Sequence, residues 1–356
     1  MLESIEIRGF TVFKKASLNF AKGLNVNVGE NATGKTHLLK LPYAVMAMSA
    51  EEGRKHNNAP TKKLLQTRIA EKLSGVFRPG DRLGSLVHRQ RGRNKCKVEL
   101  SFRQPGESLA FEFSSLAKSK VNVEKGPSKW QSKPPVFLPT QELLTLYPGF
   151  LALYDTRHLE FDETWRDTCQ LLGVPMKRGP RDPTARKLMK PLEKQLGGRI
   201  LEANGRFHLK PFGASKMEIS LVAEGWCKLA MLVRLIFNGT LLDKGCLFWD
   251  EPEADLNPRL IRELARAILG ICKAGVQVVA ATHSLFLLRE FEMLLACEEF
   301  AEVDQHYIAL FRGDDGVDVS QDDDISYIEP LVMLDEELSQ SDRFIERFMS
   351  RAEPEA

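Results

Sequence analysis

The chain lacks any paired cysteine motif. Cys96, Cys169, Cys227, Cys246, Cys272 and Cys297 are scattered singly with no C-x-x-C, so neither a zinc knuckle nor a disulfide framework is indicated. Cys246 and Cys272 lie in apolar runs, where a cysteine serves as a small core residue. No uncharged apolar stretch approaches the length that crosses a bilayer. The opening Met1 to Arg8 alternates apolar and polar residues and has neither the basic start nor the continuous apolar core of a signal peptide. A reduced, cytoplasmic protein without membrane contact is expected. Charge of one sign is also missing: the formal net charge is +2, so any nucleic-acid contact must come from a local patch. What remains is an ordinary globular composition, 43% hydrophobic and 28% charged over 356 residues. That length suits one large α/β domain with an insertion, or two domains.

Periodicity sets the element order. Leu2, Ile5 and Ile7, then Leu18 and Phe20, then Gly23 to Gly29 read as a small β-meander. A helix is expected from Lys35 to about Met48, with Pro42 placed to kink it. Lys62 to Leu73 reads as helix, and Cys96 to Phe102 and Leu109 to Phe113 as strands. Lys118 to Lys133 reads as a polar loop or hairpin, and Pro134 to Pro139 as a short strand. Thr156 to Leu196 reads as an irregular helical insertion broken at Pro175, Pro180, Pro183 and Pro191. A hairpin is expected around Asn204-Gly205, and a buried helix over Lys228 to Phe237. Strands at Gly245 to Trp249, Val276 to Ala281 and His306 to Phe311 follow, with an amphipathic helix at Pro258 to Ala274 and a last helix from about Asp335. Asp322 to Asp324 reads as a solvated acidic loop with no strand leading into it, and Phe10 and Phe13 as core.

The chemistry begins at Gly29-Glu30-Asn31-Ala32-Thr33-Gly34-Lys35-Thr36, which fits G-x-x-x-x-G-K-[ST] after a strand and before a helix. The two glycines allow successive N–H groups, from Asn31 to His37, to face a polyphosphate at a positive helix end. Lys35 would reach the β- and γ-phosphates of ATP, and the Thr36 hydroxyl would ligate Mg²⁺. Far downstream, an apolar strand ends in Asp250-Glu251. Asp250 fits the metal-holding acid of such sites, and Glu251 the group that polarises attacking water.

At Asp250-Glu-Pro-Glu-Ala-Asp-Leu-Asn-Pro258 the chain resembles the Walker B and D-loop segment of ABC-type ATPases, particularly the RecF, SMC and OLD-like heads. Val278 to Ser284 resembles their switch loop, which implies that His283 senses the γ-phosphate. Ala223-Glu224-Gly225 resembles their signature motif, with Ala223 where serine is common. The resemblance implies that this segment closes on ATP held by a second copy. Gln141 is the chosen Q-loop position, a magnesium neighbour; the alternative is a surface glutamine at a helix start. The implied fold is an α/β ABC head with an antiparallel β lobe, a RecA-like parallel-sheet core and a helical lid. Its expected parts are residues 1–150 (P-loop and lobe), 151–212 (lid), 213–300 (signature to switch histidine) and 301–356 (tail). The chain has no room for the SMC coiled coil or an OLD-type TOPRIM domain.

The resemblance further implies an ATPase that dimerises on ATP and controls a separately encoded effector, such as a nuclease, in anti-phage defence. Two other readings stay open. One is a DNA-repair ATPase that contacts DNA through Arg82, Arg89, Arg91, Arg93, Lys95 and Lys97; the other is an ATP-bound scaffold without turnover.

Overall fold

The computed structural model describes residues 1–56, 58–89, 92–157, 159–175 and 182–352, with side chains of 157 and 349–352 left aside. Pro180 and Arg91 of the sequence reading lie outside the described residues.

A five-stranded antiparallel lobe is ordered β2-β1-β4-β5-β6. Its strands are β1 (Leu2–Phe10), β2 (Phe13–Asn19), β4 (Lys95–Phe102), β5 (Leu109–Ser114) and β6 (Asn122–Lys125). The last of these turns part of the polar Lys118 to Lys133 stretch into an edge strand. Period-two alternation puts Ile5, Ile7, Val98, Leu100 and Phe111 inside and leaves the charged partners on the other face.

The central sheet runs β14-β13-β3-β12-β11-β7. β3 (Leu24–Gly29), β7 (Val136–Leu138), β11 (Cys246–Asp250), β12 (Gln277–Thr282) and β13 (Gln305–Gly313) are parallel, and β14 (Gly316–Asp322) returns antiparallel along the edge. β3, β11 and β12 are buried at every position, as strands covered on both faces must be. Alternate residues divide the core. Leu247 and Trp249 face one cluster and Cys246 and Phe248 the other. β14 corrects the expectation that no strand precedes Asp322 to Asp324; Asp314-Asp315 makes the turn into it, and Val317 and Val319 pair with Arg312 and Leu310. The acids beyond it are consumed locally, with Asp324 capping the following turn and Asp323 bonded to His306.

The helices are α1 (Lys35–Lys55), α2 (Lys62–Phe77), α3 (Tyr147–Arg157), α4 (Glu163–Leu172), α5 (Pro183–Leu196), α6 (Glu224–Phe237), α7 (Pro258–Lys273), α8 (Leu285–Leu295) and α9 (Val332–Ala352). Between α5 and α6, β8 (Gly198–Ala203), β9 (Arg206–Pro211) and the short β10 (Met217–Glu218) form a third sheet, turning at Asn204-Gly205 as expected. Two prolines do not break their helices. Pro42 stays inside α1, where residues 41–50 are all buried, so packing outweighs the roughly 3 kcal/mol of a lost helix bond. Pro191 sits on the exposed face of α5, where water can take up the freed carbonyl. Pro183 starts α5 at the position where a missing N–H is harmless.

Polar side chains join the layers. Gln277, fully buried, donates to the Leu2 and Ala21 carbonyls at 2.8 and 2.7 Å and accepts from the Leu2 N–H, pinning the lobe to β12. Lys72 on α2 bonds Glu51 of α1 and both Glu163 and Asp167 of α4, at 2.7, 3.1 and 3.0 Å. Arg234 and Asn238 of α6 donate to the Leu172 and Leu171 carbonyls that end α4. The helical insertion is thus bolted to the core from two sides. No helix among the described residues is long and apolar enough to cross a membrane.

Candidate nucleotide site

β3 ends at Gly29 and the chain loops over exposed Glu30, Asn31 and Ala32 before Thr33 is buried again. The Thr33 hydroxyl donates to the Glu30 carbonyl at 2.8 Å and closes the loop. Gly34 sits at φ +87°, and a Cβ there would meet Val12 and Phe13 side chains at 2.7 and 2.8 Å; only glycine fits both the torsion and the space. α1 starts on the next residue, so its free N–H groups face the loop's concavity. Lys35 curls back and donates to the Gly29 and Glu30 carbonyls at 2.6 and 2.8 Å. Burial lowers its pKa, opposed by Glu251 and Asp250.

β11 brings the acids to this loop. The Thr36 hydroxyl donates to Asp250 Oδ2 at 2.8 Å across 214 positions of sequence. Burial raises the Asp250 pKa and neighbouring Glu251 adds to it. Glu251 sits at φ +46°, a strained region for a carboxylate-bearing residue. Its amide donates to the Ala281 carbonyl of β12, and its Oε1 lies 3.0 Å from His283 Nδ1. Ala32 and Asp255, at φ +66° and +64°, are strained as well. Three of the six described non-glycine residues with positive φ thus lie on the motif loops, the others being Thr11, Arg78 and Asn204.

The structure therefore gathers Lys35, Thr36, Asp250, Glu251 and His283 at one place: Thr36 bonds Asp250, Glu251 bonds His283, and Lys35 bonds the loop itself. It does not join them to the signature segment. Ala223 and Glu224 are exposed at the tip of α6, flanked by Leu221 and Trp226, 77% and 37% exposed. Among the described residues, no hydrogen bond links 223–225 to 29–37. Gly225 packs instead against the D-loop, where a Cβ would come within 2.4 Å of the Asp255 carbonyl. Gln141 lies exposed just past β7, on the strand beside β11, and its side chain makes no hydrogen bond among the described residues.

His37, on the first turn of α1, packs its ring between Phe10 and Phe77. Burial, then the Lys40 charge, lowers its pKa. It borders a cavity of about 560 Å³ whose wall includes Val12, Ala32, Val87, His88 and Arg89. Phe10 and Phe13 are fully buried core. In the basic stretch, Lys95 and Lys97 are paired with Glu112 and Glu124, while Arg82, Arg89 and Arg93 are exposed.

Two residues escaped the sequence reading. Lys228 of α6, 1% exposed, donates to the Glu251 and Ala254 carbonyls at 2.7 and 3.3 Å, and burial lowers its pKa to about 8. A charged residue inside an apolar helical run was its only signal. Glu253, also buried, accepts from the Thr282 hydroxyl and ties the D-loop to β12.

A family model described as "AAA domain, putative AbiEii toxin, Type IV TA system" matches residues 97–289, which hold Ala223 to Gly225, Asp250, Glu251 and His283 but not the P-loop. The DNA replication and repair protein RecF of Streptococcus suis is 35% identical over 121 residues, 34% of this chain and 28% of that protein. RecF of Streptococcus thermophilus is 33% identical over 101 residues, 28% of this chain and 24% of that protein. The match thus spans less than a third of these relatives' length. The Smc head bound to the C-winged helix domain of ScpA superposes with a TM-score of 0.55 at 14% identity, covering 90% of this chain and 97% of that one. A Smc head with an extended coiled coil, bound to the C-terminal domain of ScpA derived from Pyrococcus furiosus, gives 0.50 at 12%, covering 98% and 99%. These likenesses show the expected α/β head fold.

Proposed function

Since the chain belongs to the family described as "AAA domain, putative AbiEii toxin, Type IV TA system", whose model spans more than half of it, we propose that it hydrolyses ATP as a pair of chains. It is an ABC-type P-loop ATPase of the RecF and SMC group. The observation that carries the reading is the meeting of Thr36 with Asp250 beside the Glu251–His283 pair.

The residues present fit MgATP. Thr36 and Asp250 offer two adjacent oxygens, the hard ligands magnesium takes, and the loop offers N–H groups, Lys35 and the start of α1 to phosphate oxygens. When bound, the metal neutralises charge on the β- and γ-phosphates. Lys35 grips and orients the phosphate chain, and Glu251 accepts the proton of the attacking water. His283, bonded to Glu251 at the end of β12, would face the terminal phosphate. The Gly225 tip of a second chain supplies N–H groups on the far side, which accounts for the exposure of Ala223, Glu224 and Trp226 in a single chain.

Calorimetry with ATP and magnesium, followed by single-turnover hydrolysis in wild type and Glu251→Gln, tests this. Binding with hydrolysis lost only in the variant is expected; a protein that takes up no nucleotide sinks the reading.

The cycle governs a separately encoded effector, a nuclease in the reading given above, within anti-phage defence; the toxin wording of the family description supports a system of paired proteins. Glu251→Gln should hold that effector in a pull-down from the native host. A second reading, direct DNA binding, draws support from exposed Arg82, Arg89 and Arg93 and from the name of the RecF relatives. Unchanged DNA affinity at low salt in an Arg89→Glu, Arg93→Glu variant would dispose of it. Should Ala223 prevent turnover even in assembled pairs, the protein is an ATP-bound scaffold.

A further inference from the structure

α9 meets the head at its start. Met333 and Leu334 pack against the core, and Glu337 pairs with Arg289 of α8. From Ser341 to Phe348 every residue is exposed. Yet this exposed length is not polar all round. Leu338, Phe344, Ile345 and Phe348 are 56%, 62%, 54% and 56% exposed, and the Phe344 and Phe348 rings touch at 4.6 Å.

The spacing of these side chains is that of a coiled-coil seam. Leu334, Leu338, Ser341, Ile345 and Phe348 alternate by four and three residues, the a/d repeat that lines one helix face. Phe344 flanks the same face. Isolated, a solvated helix with such a stripe is unstable in water, so the seam calls for a cover.

Charge identifies the cover. Residues 335–342 carry four acids and no base, whereas residues 343–351 carry three arginines and one acid. Two copies laid side by side in the same direction would set acid against acid. Laid in opposite directions, each acidic half meets the other's basic half, and the helix is complementary to itself.

We propose that α9 is a homodimerisation helix that pairs with α9 of a second copy as an antiparallel two-stranded coiled coil, independently of nucleotide. In that register Leu338 meets Phe348 of the other chain, Ser341 meets Ile345, and the two Phe344 rings stack across the twofold axis. The contact does not rest on the ATP reading and uses none of the residues assigned to the nucleotide site.

The full-length chain is tested without nucleotide and in a Cys297→Ser background, because Cys297 is an exposed thiol. Sedimentation should show a concentration-dependent dimer, retained in Lys35→Ala and lost in a Leu338→Glu, Ile345→Glu variant. Far-UV circular dichroism of that variant should lose no more helix than α9 itself supplies, since both positions are exposed and outside the head's core. Leu338→Cys and Phe348→Cys chains should form a disulfide when mixed and none when oxidised separately. A monomer at every concentration overturns the proposal. So does a dimer indifferent to the glutamate pair, or self-cross-linking of either single cysteine variant, which marks parallel pairing.

Discussion

The P-loop face and the signature face of one chain differ in completeness. On the first, Lys35, Thr36, Asp250, Glu251 and His283 already contact one another or the loop. On the second, Ala223 and Glu224 stand exposed beside Leu221 and Trp226. A cluster of charges whose Lys35 and Asp250 are buried is expensive to assemble and is organised in advance. An exposed helix tip with apolar neighbours is the state of a surface that awaits a partner. On the proposed reading, one chain would carry two halves of different sites.

The sharpest way to break this contrast is Glu251→Gln, which should lower single-turnover hydrolysis by roughly 10²–10⁴-fold while leaving ATP affinity intact. Equal loss of both would assign Glu251 to binding. Lys35→Ala should weaken ATP affinity, on the order of 10²-fold or more, because a buried cation on the phosphates is removed; calorimetry reads it. Ala223→Asp places a carboxylate on the signature tip and should abolish turnover with affinity of the isolated chain unchanged. Mixing it with Lys35→Ala should restore part of the activity, since each chain lends the half that the other retains. Mixtures as inactive as their parents would place both halves in one chain.

Two smaller effects sharpen the picture. Lys228 has a folded pKa of about 8, lowered from 10.5 by burial. The unfolded chain therefore binds more protons between those values, and stability rises with pH across that window, by at most about 3 kcal/mol for this group. Urea unfolding of wild type minus Lys228→Met should show that rise and should cancel the similar contribution of Lys244. Finally, Ala223→Ser should raise turnover by roughly tenfold or somewhat more, the worth of one hydroxyl hydrogen bond to a charged phosphate oxygen; no gain would mean that the N–H groups of the tip suffice.

The sequence was most legible where chemistry fixes spacing. Gly34-Lys35-Thr36, Asp250-Glu251 and His283 each stand at the end of a strand that periodicity had already located, and the structure places them at the carboxyl ends of three adjacent parallel strands. Prolines were misleading because the cost of a lost helix bond is local, whereas the packing of residues 41–50 around Pro42 is not. β14 was missed because its apolar alternation ends after Val317 and Val319, with Gln321 where a third apolar residue would stand, although Asp314-Asp315-Gly316 announced the turn. Lys228 was hidden by its run: its role depends on which carbonyls face it, and those belong to a loop 23 and 26 residues away. Gln141 had the right strand before it, but a bend leaves its side chain in solvent.

Gly225 has one last consequence. With the Asp255 carbonyl so near that a methyl group could not be inserted, the tip of α6 and the turn after Glu251 are obliged to travel as a single rigid piece. On the proposed reading, a push on the outside of the molecule there would be passed to Glu251, four residues earlier. A second chain's arrival at that tip and the first chain's readiness to react would then be, mechanically, the same displacement.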